Sequence, residues 1–142
     1  MERKGGEVMR KRGFVGMLLA LVMMVFTVSG CGNSLADSFD EKTVKQQAKD
    51  DVTIGEGGDF EAWKARFAPD LQASLTEDIY NNYLNLLEEK GNFKEFGKCA
   101  VTGQSKDGED YAIVVLIAEH EKGKVQYTLV YNASMELINY TI

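Results

Sequence analysis

Two cysteines and one histidine are all that the 142-residue chain offers to thiol or imidazole chemistry. That scarcity excludes a paired-cysteine metal motif, and no GxSxG elbow, HExxH helix, P-loop or dinucleotide fingerprint occurs either. Basic residues are the minority, 16 Lys and Arg against 22 Asp and Glu. A surface of that sign is repelled by phosphate backbones and anionic headgroups, so nucleic acid is not an expected partner and polybasic membrane binding is excluded. Long apolar runs are absent save one near the start, which no basic stop-transfer cluster follows.

That run gives the chain its organisation. Arg3, Lys4, Arg10, Lys11 and Arg12 form a basic head, and Gly13 to Gly30 then carries no charge while being dominated by Phe, Val, Met, Leu and Ala. This is the order of a secretory signal. A permanent span is the weaker reading, because Thr27, Ser29 and Gly30 interrupt the run before the ~20 apolar residues a crossing needs. The run ends in Val28-Ser29-Gly30-Cys31, which resembles the lipobox of bacterial lipoproteins. The resemblance implies that the Cys31 thiol is diacylglycerylated and that the peptide bond before it is cut. Two acyl chains at about 0.8 kcal/mol per buried CH₂ anchor stably where one is marginal. The expected organisation is therefore a signal peptide over 1–30, a lipidated tether over 31–37 and one domain over 38–142. The mature part carries net charge −9, so the lipid alone would hold it at the outer face of the cytoplasmic membrane. With Cys31 acylated, Cys99 is the one free thiol and no intramolecular disulfide forms. In an apolar strand it reads as a small buried hydrophobe.

Periodicity divides the domain into helices followed by strands. Ser38-Phe39-Asp40-Glu41 fits a capping box, and Val44, Ala48 and Val52 make a narrow apolar stripe on a first helix that Gly55 would end. Asp59 caps a second, with Phe60, Trp63 and Phe67 on one face and Pro69 ending it. Thr76 caps a third, the most apolar, which closes at Lys90-Gly91. From Phe93 the period becomes two: 96–102, 110–120, 124–131 and 136–142 read as strands of an antiparallel meander. Residues 112–118 are apolar on both faces, as suits a central strand with one face under the helices and the other available to a second copy of the chain.

Gly58-Asp59-Phe60-Glu61, Leu75-Thr76-Glu77, Tyr83 and Gly91-Asn92-Phe93, in that order behind the lipobox, resemble the bacterial family called domain of unknown function 3887. Tyr83 stands where that family often has Trp, and Ser134-Met135 where an Asp-Gly pair is usual. The broader plan resembles the nuclear-transport-factor-2-like (cystatin-like) superfamily. The resemblance implies an α+β fold with three N-terminal helices on a curved four-stranded antiparallel sheet, forming a cone. It carries over no catalytic residue, cofactor or metal ligand, and it implies an accessory or binding role.

The candidates for chemistry are few. Cys99 and His120 are expected more than about 20 Å apart along paired strands, too far for a nucleophile and its base. His120 lies between Glu119 and Glu121, but alternation turns both carboxylates to the opposite face, so it reads as a solvated histidine at a hairpin end, with metal or proton-transfer roles as the alternative. If Lys122-Gly123 is a two-residue loop, Tyr127 and Tyr131 share a face with Val114, Leu116 and Ala118. Together with Trp63, Phe67, Tyr80 and Tyr83 they would line the ligand pocket of such a cone; the alternative is plain core packing with hydroxyls reaching the rim. Two functions follow as expectations. The first is a membrane-anchored extracytoplasmic binding or interaction module, without catalysis, whose partner is an envelope protein or a second copy. The second is a small metal-independent isomerase or lyase that uses pocket tyrosines and a carboxylate.

Overall fold

The computed structural model describes residues 34–142, which belong to one compact unit. The expected signal peptide, Cys31 and the first residues of the expected tether lie outside the described residues. The tether is seated sooner than expected: Leu35 and Ala36 pack against the core, and Leu35 runs directly over Gly103, where an added Cβ would lie 2.8 Å from the Leu35 Cα.

The domain is α+β, its helices preceding its strands. Helix α1 spans Glu41–Glu56. Its cap is Asp40 and not Ser38: the Asp40 carboxylate accepts from the Thr43 N–H at 2.9 Å and the Thr43 hydroxyl at 2.7 Å. A charged acceptor outcompetes a hydroxyl at this end of the helix dipole, and its position leaves Phe39 buried. Val44, Ala48 and Val52 are fully buried, as their spacing predicts. The helix continues through Gly55, and Gly57 is the residue that closes it, donating to the Ile54 carbonyl at 3.1 Å. Gly55 is glycine for a packing reason: a Cβ there would collide with the phenol oxygen of Tyr140 and stand 3.2 Å from that of Tyr83.

Asp59 caps α2, Phe60–Lys64, accepting from the Ala62 N–H at 3.1 Å. The chain then leaves the helix four residues before Pro69. Phe67 forms an isolated parallel bridge with Leu137, with the Ala68 N–H donating to Leu137 and the Leu137 N–H donating to Arg66, both at 2.9 Å. Pro69 does not merely end a helix but begins one, α3, Pro69–Gln72, since a missing N–H costs nothing at a first turn. The described residues therefore hold four helices where three were expected. Thr76 caps α4, Glu77–Glu88, and Gly91 takes the positive φ of 76° that turns the chain into the sheet.

Strands β1 (Phe93–Lys106), β2 (Glu109–His120), β3 (Gly123–Tyr131) and β4 (Leu137–Thr141) form one antiparallel sheet in sequence order, the expected meander. Asp107 and Gly108, both at positive φ, make the first turn. At the second, His120 pairs with Gly123 and Leu116 with Tyr127, two residues from the expected register. A shift of two preserves the faces, so Tyr127 and Tyr131 still share theirs with Val114, Leu116 and Ala118. In the first hairpin Cys99 pairs with Leu116, four residues from His120, or about 13 Å along the strand. That is nearer than expected, yet still beyond contact. Cys99 is half-buried, and its thiol is pushed up by burial.

The core lies between the helices and one face of the sheet. Trp63 stacks on Tyr80 at 4.9 Å and meets Phe67 and Tyr140 edge-on at 4.9 and 5.8 Å, geometries that suit ring quadrupoles. The opposite face carries Ile113 and Val130, both buried, beside the less covered Val115 and Ile117.

Candidate functional site

Where α1 and α4 end, they leave a cleft of about 590 Å³ over the start of β1 and the end of β2. Val52, Leu84, Leu87, Phe93 and Phe96 give it apolar walls, and Thr53, Glu56, Glu88, Asn92 and His120 supply the polar side chains. Phe93 is 41 % exposed, unusual for an aromatic side chain in this domain.

Glu56 reaches this place because α1 stops one residue later. Tyr80 fixes that stop, donating to the Gly55 carbonyl at 2.7 Å and accepting from the Gly58 N–H at 3.0 Å. His120 closes the other side. It is buried, not solvated, because its carboxylate partner comes from another element: Nε2 lies 3.0 Å from Glu56 Oε1, a residue 64 positions away, and Nδ1 lies 2.9 Å from the Gly91 carbonyl. The turn after α4 thus orients the ring. Both ring nitrogens face oxygen atoms, the Gly91 carbonyl and the Glu56 carboxylate, so the ring is held from two sides.

The same carboxylate oxygen terminates a chain of phenols. Tyr127 donates to Glu56 Oε1 at 2.7 Å. Its oxygen is therefore free to accept from Tyr83 at 2.7 Å, and Tyr83 from Tyr140 at 2.9 Å. All three hydroxyls point one way, towards the negative charge, the order in which such bonds polarise one another. Burial raises the pKa of each phenol well above its ordinary value, so they act as donors.

A second carboxylate, Asp51, is buried, only 1 % exposed. It accepts from Tyr131 at 2.6 Å, from Gln47 at 3.0 Å and from Arg66 through two nitrogens, the Nη2 contact at 3.3 Å. Arg66 also donates to the Met135 carbonyl at 3.2 Å and is raised chiefly by its bond to Asp51. With its acceptors occupied by three side chains, Asp51 ties α1, the chain after α2 and the β3–β4 turn together; it has nothing left to offer a ligand.

The six expected pocket residues fall elsewhere. Trp63, Phe67, Tyr80, Tyr83, Tyr127 and Tyr131 are all buried in the core, and none lines the cleft. Their hydroxyls bond one another, α1 or the two carboxylates. Glu56, Glu88, Val52, Leu84, Leu87 and Phe96 carry no sequence motif, whereas Phe93 belongs to the Gly91-Asn92-Phe93 stretch. The signal for Glu56 was its place before Gly57-Gly58, at a helix end that disfavours a carboxylate. Among the described residues no group of three or more His, Cys, Asp or Glu is placed to hold a metal ion, and no helix is long and apolar enough to cross a membrane.

A protein family of unknown function, DUF3887, matches residues 52–139, more than half of the chain and a span that holds Glu56, the cleft walls and His120. The chain belongs to the DUF3887 family. The match therefore takes in the last turn of α1, helices α2 to α4, strands β1 to β3 and the start of β4. An NMR structure of a protein from Ruminococcus gnavus ATCC 29149 is 45 % identical, covering 78 % of this chain and 96 % of that one, with a TM-score of 0.72. Among curated proteins none matches.

Proposed function

We propose that this DUF3887 domain is a ligand-binding module whose working site is the cleft between the ends of α1 and α4. The observation that carries the reading is the cleft's composition: apolar walls with an exposed aromatic, over a part-buried carboxylate and a buried imidazole that hold each other in place. Its size falls in the range of small-molecule sites. The tyrosine-rich interior, by contrast, is packed and hydrogen-bonded to itself. A thermal-shift screen of a small-molecule library tests this against a Leu84→Arg variant, which fills the cleft from a half-buried position. Hits are expected to stabilise the natural chain and lose that effect in the variant; hits indifferent to the change would refute it.

The contact between Glu56, His120 and Tyr127 favours a second reading, acid–base catalysis of an isomerase or lyase kind in the same cleft. A carboxylate beside a tyrosine is what that reading requires: Glu56 lines the cleft and accepts from Tyr127, which lies behind it in the core. Conversion of a bound compound, lost in Glu56→Gln while binding persists, would establish it; binding without conversion leaves the module reading.

For the chain as a whole we infer a lipoprotein, cut before Cys31 and held by its lipid at the outer face of the cytoplasmic membrane. The lipobox resemblance and the acidic domain support this. Cys31→Ser should release the protein or leave an uncleaved precursor, and a variant still membrane-bound after normal cleavage would contradict it. Helices laid on one sheet face support a cone of the nuclear-transport-factor-2-like kind. Ile113, Val115, Ile117 and Val130 on the other face support a homodimer, which sedimentation at monomer mass would remove.

A further inference from the structure

Resting on the cleft as the ligand site, we propose that it takes an organic cation, a primary alkylammonium whose apolar chain lies along the walls and whose charge sits at Glu56. Charge is the first reason. The wall has three ionisable side chains, Glu56, Glu88 and His120, and contains no lysine or arginine. Lys90, which follows α4 at once, lies over Gly123 instead.

The second reason is the backbone. Both α1 and α4 end at the cleft, and neither has a basic residue in its last turn. Each helix C-terminus presents roughly half a negative charge. A carboxylate at such an end is opposed by the dipole, and α1 places Glu56 as its final residue while α4 does the same with Glu88. Around one opening stand two negative poles and two carboxylates with one imidazole, at Glu56, between them, and a bound cation relieves them together.

The third reason is the free oxygen. Tyr127 and His120 both address Glu56 Oε1, which leaves Oε2 without a hydrogen-bond partner among the described residues. Phe93 completes the site. It packs at 4.8 Å from Phe96 and edge-on to His120 at 5.8 Å, and its exposed ring offers a π face to a passing ammonium group. Cations of this chemistry occur as free amines and as lysine side chains, and the cleft has features for both: an apolar wall for the methylenes and a carboxylate for the head.

The test uses the full chain in lipid nanodiscs with methyl groups labelled, titrated with butylammonium, Nα-acetyl-lysine methylamide, butanol and butyrate. At least one ammonium probe is expected to shift the Val52, Leu84 and Leu87 methyl signals saturably, at least tenfold more tightly than butanol or butyrate. Which of the two does so separates a free amine from a lysine side chain. Glu56→Gln, which can still accept from Tyr127, should weaken the ammonium probe at least tenfold, and the exposed Glu88→Gln roughly two- to threefold. Butanol or butyrate shifting the same methyls as tightly would overturn the cation assignment and leave the cleft as a ligand site. No shift with any of the four would overturn both.

Discussion

Replacing Gly55 with alanine sets two effects of opposite sign against each other. Inside a helix the change is ordinarily favourable, by roughly 0.5–1 kcal/mol, because glycine surrenders more backbone freedom on folding. Here the new methyl enters the space of the Tyr140 phenol, 3.0 Å from its Cζ and 3.2 Å from the Tyr83 oxygen. Carbon contacts are comfortable at about 3.5–4.0 Å. Tyr140 is 9 % exposed and hemmed by Trp63, Tyr83 and Tyr127 rings at 5.8, 5.6 and 5.6 Å, so it has no open side to retreat to. Overpacking of this kind costs about 1–3 kcal/mol, and separating Tyr140 from Tyr83 adds about 1–3 kcal/mol for a buried hydroxyl left unpaired. Subtracting the helix gain leaves a net loss of about 1–5 kcal/mol. Urea denaturation of Gly55→Ala should show a lowered midpoint at unchanged slope. Tyr140→Phe removes the colliding oxygen, so the double variant should lose at least about 1 kcal/mol less than the two single losses combined. A Gly55→Ala variant as stable as the parent or more so, or strict additivity with Tyr140→Phe, would refute the packing on which the phenol chain and the position of Glu56 depend.

Other perturbations probe the remaining joints. Arg66→Met leaves Asp51 buried without its ion-pair partner and should cost about 3–5 kcal/mol in urea denaturation; Asp51→Asn with Arg66→Met should recover part of that. Burial raises Tyr83, Tyr127, Tyr131 and Tyr140 above the ordinary phenol value. The unfolded chain ionises first, so the contribution of these phenols is constant below about pH 10 and stability falls above it, by up to about 1.4 kcal/mol per pH unit for each such phenol. Tyrosinate absorbance should accordingly show these four appearing only as the protein unfolds, and reversible ionisation of all six tyrosines in the folded state would contradict their burial. Gly103→Ala pushes away the Leu35 backbone and should expose the 34–37 segment to limited proteolysis while leaving the sheet intact.

The elements were legible where a local rule governs them. Asp59 and Thr76 cap their helices, the stripe of Val44, Ala48 and Val52 is buried, and the meander has the expected order because each strand alternates between turn residues that can carry positive φ. Legibility failed where two distant segments decide. Gly55 looked like a helix stop, and only the Tyr140 ring from the last strand shows why it is an interior residue. Phe67 has the spacing of a helical face but is drawn out by backbone bonds to Leu137. The site was hidden for the same reason. His120 has two carboxylates beside it in sequence, both on the wrong face, and takes its partner from a helix end 64 residues earlier. The aromatic residues advertised a pocket because tyrosines with apolar neighbours fit either a lined cavity or a packed core. The composition is the same in both, and only the hydroxyl partners separate them.

The most direct test of the account is a crystal structure of the protein with a compound that stabilises it in solution. The compound should lie in the cleft between Leu84 and Phe93, with its polar group at Glu56 and the interior tyrosines unmoved. A compound bound instead among the core tyrosines, or on the far face beside Val115 and Thr128 with the cleft empty, would contradict it.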